Sequence, residues 1–198
     1  CLPTSLIVCP FAVPARMNRK YLTEHEMERF LAAAKKGRHG ERDFCMMLLA
    51  YRHGYRVSEL IRLERSDLDL TSGHIQVRRL KNGLNTQQAL LGDEMRALRA
   101  WMRARSINEG AGQSFVFLSE RGHQLTRQAV NYLVKEIGAR AQIEIPVHPH
   151  MIRHSTGYAL TNKGHNTRLV QDALGHRNIR HTEIYTKTAP KRFEKLWE

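Results

Sequence analysis

The stretch DLDLTSGHIQVRRLKNGLNTQQALL, residues 67–91, decides the fold class, because the periodicity of the chain changes there from helical to extended. Three short runs within it, 67–70, 74–80 and 86–91, have the alternation typical of strands. Turn residues separate them: Thr-Ser-Gly at 71–73 and Lys-Asn-Gly at 81–83. Strands joined by such tight turns pair antiparallel. The stretch therefore predicts one small antiparallel three-stranded sheet.

Helical patterns flank this sheet on both sides. The sequence before it predicts helices at 23–36, at 42–53 ending at Gly54, and from Arg56 to Leu63. The sequence after it predicts further helices at 93–105, 126–142 and 149–163, one that Thr167 caps and Gly175 ends, and a short helix or turn at 179–186. The apolar run 115–118 fits either a strand or core. This order predicts an α+β domain that is mainly helical.

The composition is strongly basic. The 198 residues hold 32 Lys and Arg against 19 Asp and Glu, for a formal net charge of +13 and a pI near 10.2. The positive electrostatic field of such a chain attracts polyanions, of which nucleic acid is the first candidate and an anionic membrane surface the second. Three cysteines without a CxxC pair exclude a disulfide-rich secreted module and a cysteine-based zinc finger. No apolar run reaches the ~18 residues of a membrane span.

Residues 1–16 differ from the rest of the chain. They hold three prolines and a single charge, that of Arg16, and show no amphipathic period. We interpret them as a disordered or non-native N-terminal extension and predict that the natural start is Met17. Residues 17–198 then form one domain.

Four segments carry side chains suited to phosphodiester chemistry: Tyr-Arg-Val-Ser-Glu-Leu at 55–60, Arg-Leu-Lys-Asn-Gly at 79–83, His-Pro-His-Met-Ile-Arg-His at 148–154, and Leu-Gly-His at 174–176 with a tyrosine nine residues on. In this order they resemble the tyrosine recombinases, the phage-integrase family. That family has an Arg opening a helix with an acidic residue three on, a hairpin Lys, His-x-x-Arg, Leu-Gly-His and a Tyr. Its six positions are filled by Arg56, Lys81, His150, Arg153, His176 and Tyr185.

The run Leu-Gly-His-Arg-Asn-Ile-Arg-His-Thr-x-x-Tyr-Thr at 174–186 is similar to the regulatory recombinases that invert a fimbrial promoter element. The resemblance implies a tyrosine recombinase catalytic domain at 17–198, without a separate core-binding domain. It implies cleavage and rejoining of duplex DNA through a 3′-phosphotyrosine, with no metal, ATP or other cofactor. It also implies inverted repeats as substrate, in the bacterial cytoplasm at the nucleoid, and accessory DNA-bending proteins. The homotetramer on DNA would dock the C-terminal segment Pro190 to Glu198 in trans, and no membrane is involved.

Elementary chemistry agrees with these roles. Negative charge grows on the phosphate oxygens as the backbone opens, and Arg56 and Arg153 can clamp them from different helices. His150 lies one helical turn before Arg153 and can donate to an oxygen or move a proton. Tyr185 is the expected nucleophile. The family role of Lys81 is that of the acid for the leaving oxygen, and Glu59 is assigned to hold Arg56.

Each motif also has a simpler explanation. An Arg with a Glu three residues on is often a surface ion pair, Lys81 beside Asn-Gly a solvated turn residue, and His176 after Gly a helix end. Six histidines have zinc-like spacings, which leaves a metal-dependent nuclease as an alternative: His148, His150, His154, His165, His176 and His181. A further alternative is a non-catalytic DNA-binding transcriptional regulator on the same fold.

Contacts to DNA outside the pocket are predicted on the 126–142 helix. Arg127, Gln128, Asn131 and Lys135 share one side of it, which either enters a major groove or is merely solvated. Two more candidates beside His176 are Arg177 and Arg180.

Overall fold

The structure, a computed structural model, describes residues 19–80, 83–107 and 113–188. Within these ranges the helices are α1 (Glu24–Lys35), α2 (Gly40–Arg52), α3 (Val57–Leu60), α4 (Gly92–Ile107), α5 (Arg127–Arg140), α6 (Pro149–Asn162), α7 (Thr167–Leu174) and α8 (Arg180–Thr188). The strands are β1 (Leu68–Asp69), β2 (His74–Val77) and β3 (Thr86–Ala89). Helices before and after one small sheet confirm the predicted α+β class.

The sheet is antiparallel in the order β1-β2-β3, as predicted. Leu68 is opposite Ile75, and Val77 is opposite Thr86. The strands are shorter than the sequence indicated: β2 ends at Val77 rather than at residue 80. The reason is local. The backbone N–H of Arg79, two residues after β2 ends, donates to the Asn85 side chain at 2.7 Å instead of to a neighbouring strand.

The third helix is also shorter than predicted. It covers Val57–Leu60 instead of running to Leu63, because the chain then pairs with the segment after α4. The backbone N–H of Val116 donates to the carbonyl of Leu63 at 2.7 Å. Residues 115–118 make isolated bridges at Phe115 and Leu118, and the side chains of Val116 and Phe117 are fully buried. This run therefore serves the core and forms no regular strand.

The core has two parts. The larger lies among α1, α2, α4, α5 and α6 and includes Phe30, Leu49, Leu98 and Ile137. The smaller holds Val170, Leu174 and Tyr185, packed against Tyr158 and Leu160. Helix α6 contributes to both, so the side chains on its two faces join the main core to the α7–α8 unit.

Helix α7 begins and ends with clear signals. The prediction that Thr167 caps it is wrong: the Asn166 side chain accepts the Leu169 N–H at 2.8 Å, and Thr167 is the first helical residue. The short side chain of Asn166 competes equally well for this role. Gly175 ends the helix with φ of 64°, as predicted. None of the helices in the described ranges combines the length and apolar character that crossing a membrane demands.

Candidate active site

Arg56 stands at the N-terminus of α3, after a sharp turn at Gly54, whose φ is 58°. One Glu59 oxygen accepts the Arg56 guanidinium at 2.8 Å, and the other accepts its backbone N–H at 3.0 Å. The Glu59 side chain is completely buried, whereas that of Arg56 is 31% exposed. Glu59 therefore occupies the supporting position that the sequence predicts for it, and the Arg56 guanidinium faces an open cleft.

Arg153 is a buried residue on α6. Its guanidinium donates to the backbone carbonyl of Gly54, just before Arg56, and to that of Leu174 at the end of α7, at 2.7 Å. Burial, with the positive charges of Arg79 and Arg56, lowers the pKa of Arg153. Two of its donors thus tie together the segments that carry Arg56 and His176.

His150 is on the first turn of α6, one turn before Arg153. It lines a cleft together with Arg56, and burial together with the charge of Arg153 lowers the pKa of the His150 imidazole. A neutral imidazole beside two arginines can accept a proton, which is the property the sequence predicts for this position.

His176 follows the left-handed Gly175 cap. Its Nδ1 is 2.9 Å from the hydroxyl of Thr182, a fully buried residue on α8. Burial and the charges of Arg153 and Arg56 lower the pKa of His176 to about 3. The neutral ring therefore has one nitrogen held by Thr182, and its other nitrogen makes no hydrogen bond to the described residues.

Tyr185 is tucked inside the α6–α8 contact. Its hydroxyl is 3.0 Å from Nδ1 of His154, and the residue is only 2% exposed. Its ring meets Tyr158 edge-on at 5.2 Å, and a Cβ on Gly157 would come within 2.5 Å of the ring. Burial raises the pKa of Tyr185, although the charge of Arg153 opposes this, so the phenol is protonated in this conformation.

From the sequence, His154 is a candidate zinc ligand only, and Arg79 has no expected role. Burial, followed by the positive electrostatic influence of His150 and Arg153, lowers the pKa of His154 to about 4, so the ring that contacts the Tyr185 hydroxyl is neutral. Arg79 pairs with the second oxygen of Glu59 at 3.0 Å. His154 directly follows Arg153 in the sequence, and this adjacency could have indicated a place in the site. Nothing in the sequence around Arg79 indicates that it is buried.

Five of the six predicted residues thus meet in one region: Arg56, His150, Arg153, His176 and Tyr185. Arg56 lines one cleft with His150 and a second cleft with His176, and the rings of His176 and Tyr185 are 6.3 Å apart. Lys81, the segment Pro190 to Glu198 and residues 1–16 lie outside the described residues, so those predictions stand as made.

The predicted DNA-contacting residues divide into two groups. Arg127, Asn131 and Lys135 line the cleft that also holds Arg56 and His150. Gln128 is exposed on the same helix but does not line that cleft. Arg177 lines a second cleft with Arg56 and His176, while Arg180 is exposed beyond its lining. Both clefts open on Arg56.

The zinc-like histidine spacings do not produce a cluster. Across the described ranges, no three His, Cys, Asp or Glu side chains gather as the ligands of one ion. His154 and His176 instead contact Tyr185 and Thr182.

We expect acid to destabilise the fold through these histidines. The pKa of His154 is about 4 and that of His176 about 3, below the ~6.5 of a histidine in an unfolded chain. Between these values the unfolded chain binds more protons, so the free energy of unfolding falls as pH drops below about 6.5. The melting temperature should be lower near pH 5 than near pH 7.

The double variant His154→Gln/His176→Gln should reduce this pH dependence. His25→Gln, at a side chain that is 80% exposed, is the matched control and should leave it unchanged. An equal pH dependence in the wild type and the double variant would contradict the assignment.

The fold and this constellation agree with comparisons to known proteins. The model of the Phage integrase family matches residues 20–192. The Type 1 fimbriae regulatory protein FimE of Escherichia coli (strain K12) is 46% identical over 182 residues, covering 91% of this chain and 92% of that protein. FimB of the same strain is 44% identical over 181 residues, covering 91% and 90%.

Solved structures show the same relationship. The XerA recombinase superposes with a TM-score of 0.77 at 28% identity, over 87% of this chain and 61% of that one. The XerH site-specific recombinase bound to difH substrate gives 0.74 at 25% identity, over 85% and 50%. The protein is a tyrosine recombinase, a DNA strand-cleaving and rejoining enzyme. The chain belongs to the phage integrase family, and its similarity to FimE and FimB extends over nearly their whole length.

Proposed function

We propose that this recombinase acts at one backbone phosphate held between Arg56 and Arg153, with Tyr185 as nucleophile. The observation that carries the proposal is the shared anchoring of the two arginines: Arg153 donates to the Gly54 carbonyl in the turn that presents Arg56. Two permanently charged forks converging from different helices suit the non-bridging oxygens of a pentavalent transition state.

In the proposed reaction the Tyr185 oxygen attacks phosphorus and the bond to the 5′ oxygen breaks. The phenolic proton passes to a neutral imidazole, either His154, which already contacts the hydroxyl, or His150 on the same helix. The leaving 5′ oxygen takes a proton from Lys81. His176 donates from its free nitrogen to a phosphate oxygen. The phosphotyrosine conserves the bond energy, so the reverse attack by a 5′ hydroxyl rejoins the strand.

Tyr185 must leave its buried position to do this. Its ring lies against Gly157 and Tyr158, and the residue is only 2% exposed. We propose that DNA binding releases it, because the phosphate brings the charge that competes for Arg153 and the neighbouring histidines. Withdrawal of the phenol in DNA-free protein protects against unproductive cleavage.

The biological reaction we propose is inversion of a fimbrial promoter element between inverted repeats. The similarity to two type 1 fimbriae regulatory proteins supports it. A homotetramer on duplex DNA, docking of Pro190 to Glu198 in trans and help from accessory DNA-bending proteins belong to the same proposal. So do residues 17–198 as the catalytic domain and a place at the nucleoid in the cytoplasm.

An inversion assay tests this function. A plasmid carrying a promoter element between inverted repeats is incubated with the protein, and orientation is read by restriction digestion, with and without EDTA. We expect inversion that EDTA does not affect. Binding without inversion would favour the non-catalytic regulator, and loss of activity in EDTA would favour a metal-dependent nuclease.

The cleft beside Arg56 makes a second prediction. If Arg127 and Lys135 contact phosphates, changing either to Ala should lower the slope of log affinity against log salt by about 0.9. Arg96→Ala, an exposed arginine lining a different cleft with Phe44 and Asp93, is the charge-matched control and should leave the slope unchanged. Equal slopes for all variants would remove this helix from the DNA interface.

A further inference from the structure

Arg79 is a buried cation to which the proposed reaction gives no role. Its side chain is 0% exposed, although a lone charge at that depth is very costly. Its predecessor Arg78 is 62% exposed and pairs with Asp67. The partners of Arg79 therefore explain why the chain keeps a guanidinium there.

Four acceptors surround this guanidinium, and they come from distant parts of the chain. They are Glu59 Oε2 at 3.0 Å, the His53 carbonyl at 2.6 Å, the Gly54 carbonyl at 3.3 Å and the Ala173 carbonyl at 2.7 Å. Three belong to the turn and helix that present Arg56, and the fourth belongs to the helix that precedes His176. The planar fork of arginine can reach all of them at once, which a lysine ammonium cannot.

On one side, Arg79 acts on Arg56 through a shared carboxylate. Glu59 accepts Arg79 on Oε2 and the Arg56 guanidinium on Oε1. Although burial opposes it, the hydrogen bonds from Arg56 and the charge of Arg79 hold the pKa of Glu59 below its usual value. The carboxylate is therefore ionised and fixed between two cations, and its orientation sets that of Arg56.

On the other side, Arg79 completes the end of α7. The last four carbonyls of this helix are all satisfied: those of Gln171 and Asp172 by backbone N–H groups of the cap, that of Ala173 by Arg79 at 2.7 Å and the Gln88 amide at 3.2 Å, and that of Leu174 by Arg153. Cations at a helix C-terminus also complement its dipole. The residue after the cap is His176.

Two glycines pack directly against the Arg79 side chain. A Cβ on Gly175 would lie 2.7 Å from its Cγ, and a Cβ on Gly83 would lie 2.6 Å from its Cβ. The stem of Arg79 is thus enclosed by the cap before His176 and by the β2–β3 connection. The position of this stem leaves little room for the cap and the β2–β3 connection to move independently of Arg79.

We propose that Arg79 is a positioning residue that sets the separation of Arg56, Arg153 and His176 around the phosphate. It acts on Arg56 through Glu59. It acts on Arg153 through the Gly54 carbonyl, to which Arg79 and Arg153 both donate, and on His176 through the end of α7. The proposal rests on the proposed function of these residues. A displacement of about 1 Å at such a site costs on the order of 100-fold in rate.

The test compares Arg79→Met, Arg79→Lys and the control Arg96→Met, at an exposed arginine away from the site, in single-turnover cleavage of a suicide DNA substrate at saturating protein, with affinity measured separately. We expect about 100-fold slower cleavage with unchanged affinity for both Arg79 variants, and wild-type cleavage for the control. Arg79→Lys keeps a cation beside Glu59, so it decides the question if Arg79→Met does not fold. Wild-type cleavage rates in Arg79→Lys would overturn the proposal.

A cycle with Arg56→Lys separates positioning from general stability. If Arg79 acts through Arg56, the double variant should be little slower than Arg56→Lys alone. A double variant whose cleavage rate falls by the product of the two single fold-reductions would show that Arg79 acts independently of Arg56. That result would overturn this part of the proposal.

A crystal structure of Arg79→Lys reads the positions without any activity. We expect the Arg56 guanidinium to leave Glu59 and the 174–176 segment to shift. Unchanged positions of Arg56 and His176 would overturn the proposal even if the wild type proved inactive. A wild-type protein that forms no covalent DNA adduct would instead sink the proposed function and leave this structural comparison to decide the role of Arg79.

Discussion

Tyr185→Phe is expected to abolish covalent attachment to DNA while leaving binding intact. The variant loses the one oxygen that can attack phosphorus and keeps the ring that packs against Gly157 and Tyr158. Removing the hydrogen bond to His154 should cost only about 1 kcal/mol of stability. Denaturing gels after incubation with a suicide substrate should show no retained DNA at any time.

Tyr51→Phe is the matched control, because it removes a phenol from a residue packed against the main core. It should form adducts at the wild-type rate. Adducts that persist in Tyr185→Phe would mean that another side chain is the nucleophile.

The second large effect is expected on substitution of Arg56 and Arg153. The two variants should lose similar cleavage activity but different amounts of folding stability. Replacing either Arg56 or Arg153 by Lys exchanges a bidentate fork for a point charge and should slow cleavage by about 10³-fold or more. Arg153→Lys also leaves the Leu174 carbonyl without its donor and the Gly54 carbonyl with Arg79 alone, at a cost of about 1–3 kcal/mol. Arg56→Lys should cost less than about 1 kcal/mol, because that side chain is 31% exposed.

Single-turnover cleavage at saturating protein and urea unfolding measure the two effects separately. Arg62→Lys, at an exposed arginine two residues after the end of α3, is the matched control for both. Rapid cleavage by either variant would contradict the phosphate clamp, and equal stability losses would contradict the anchoring role of Arg153.

The site could be predicted from the sequence where its chemistry is written in local motifs. Arg56 with Glu59, His150 with Arg153, and His176 after Gly175 each sit within one turn of helix or one cap, so short spacings specify them. The small sheet also followed from turn residues, since Asp69 caps its own turn by accepting the N–H groups of Thr71 and Ser72.

What the sequence could not show depends on contacts between distant segments. Arg79 reads as an ordinary strand residue beside Arg78, and its burial depends on acceptors from other segments, among them Glu59 and the carbonyl of Ala173, 94 positions on. The helix from Arg56 stops early for the same kind of reason, because the carbonyl of Leu63 finds its partner at Val116. The hydrogen bond between His154 and Tyr185 likewise requires α6 and α8 to be side by side.

The central claim is that a phenol oxygen of this chain becomes joined to DNA at Tyr185. The most direct measurement is mass spectrometry of the wild-type adduct after digestion with trypsin and nuclease. We predict that the nucleotide mass is carried by the peptide HTEIYTK, residues 181–187, through Tyr185. A modified peptide from any other part of the chain, with this one unmodified, would contradict the account.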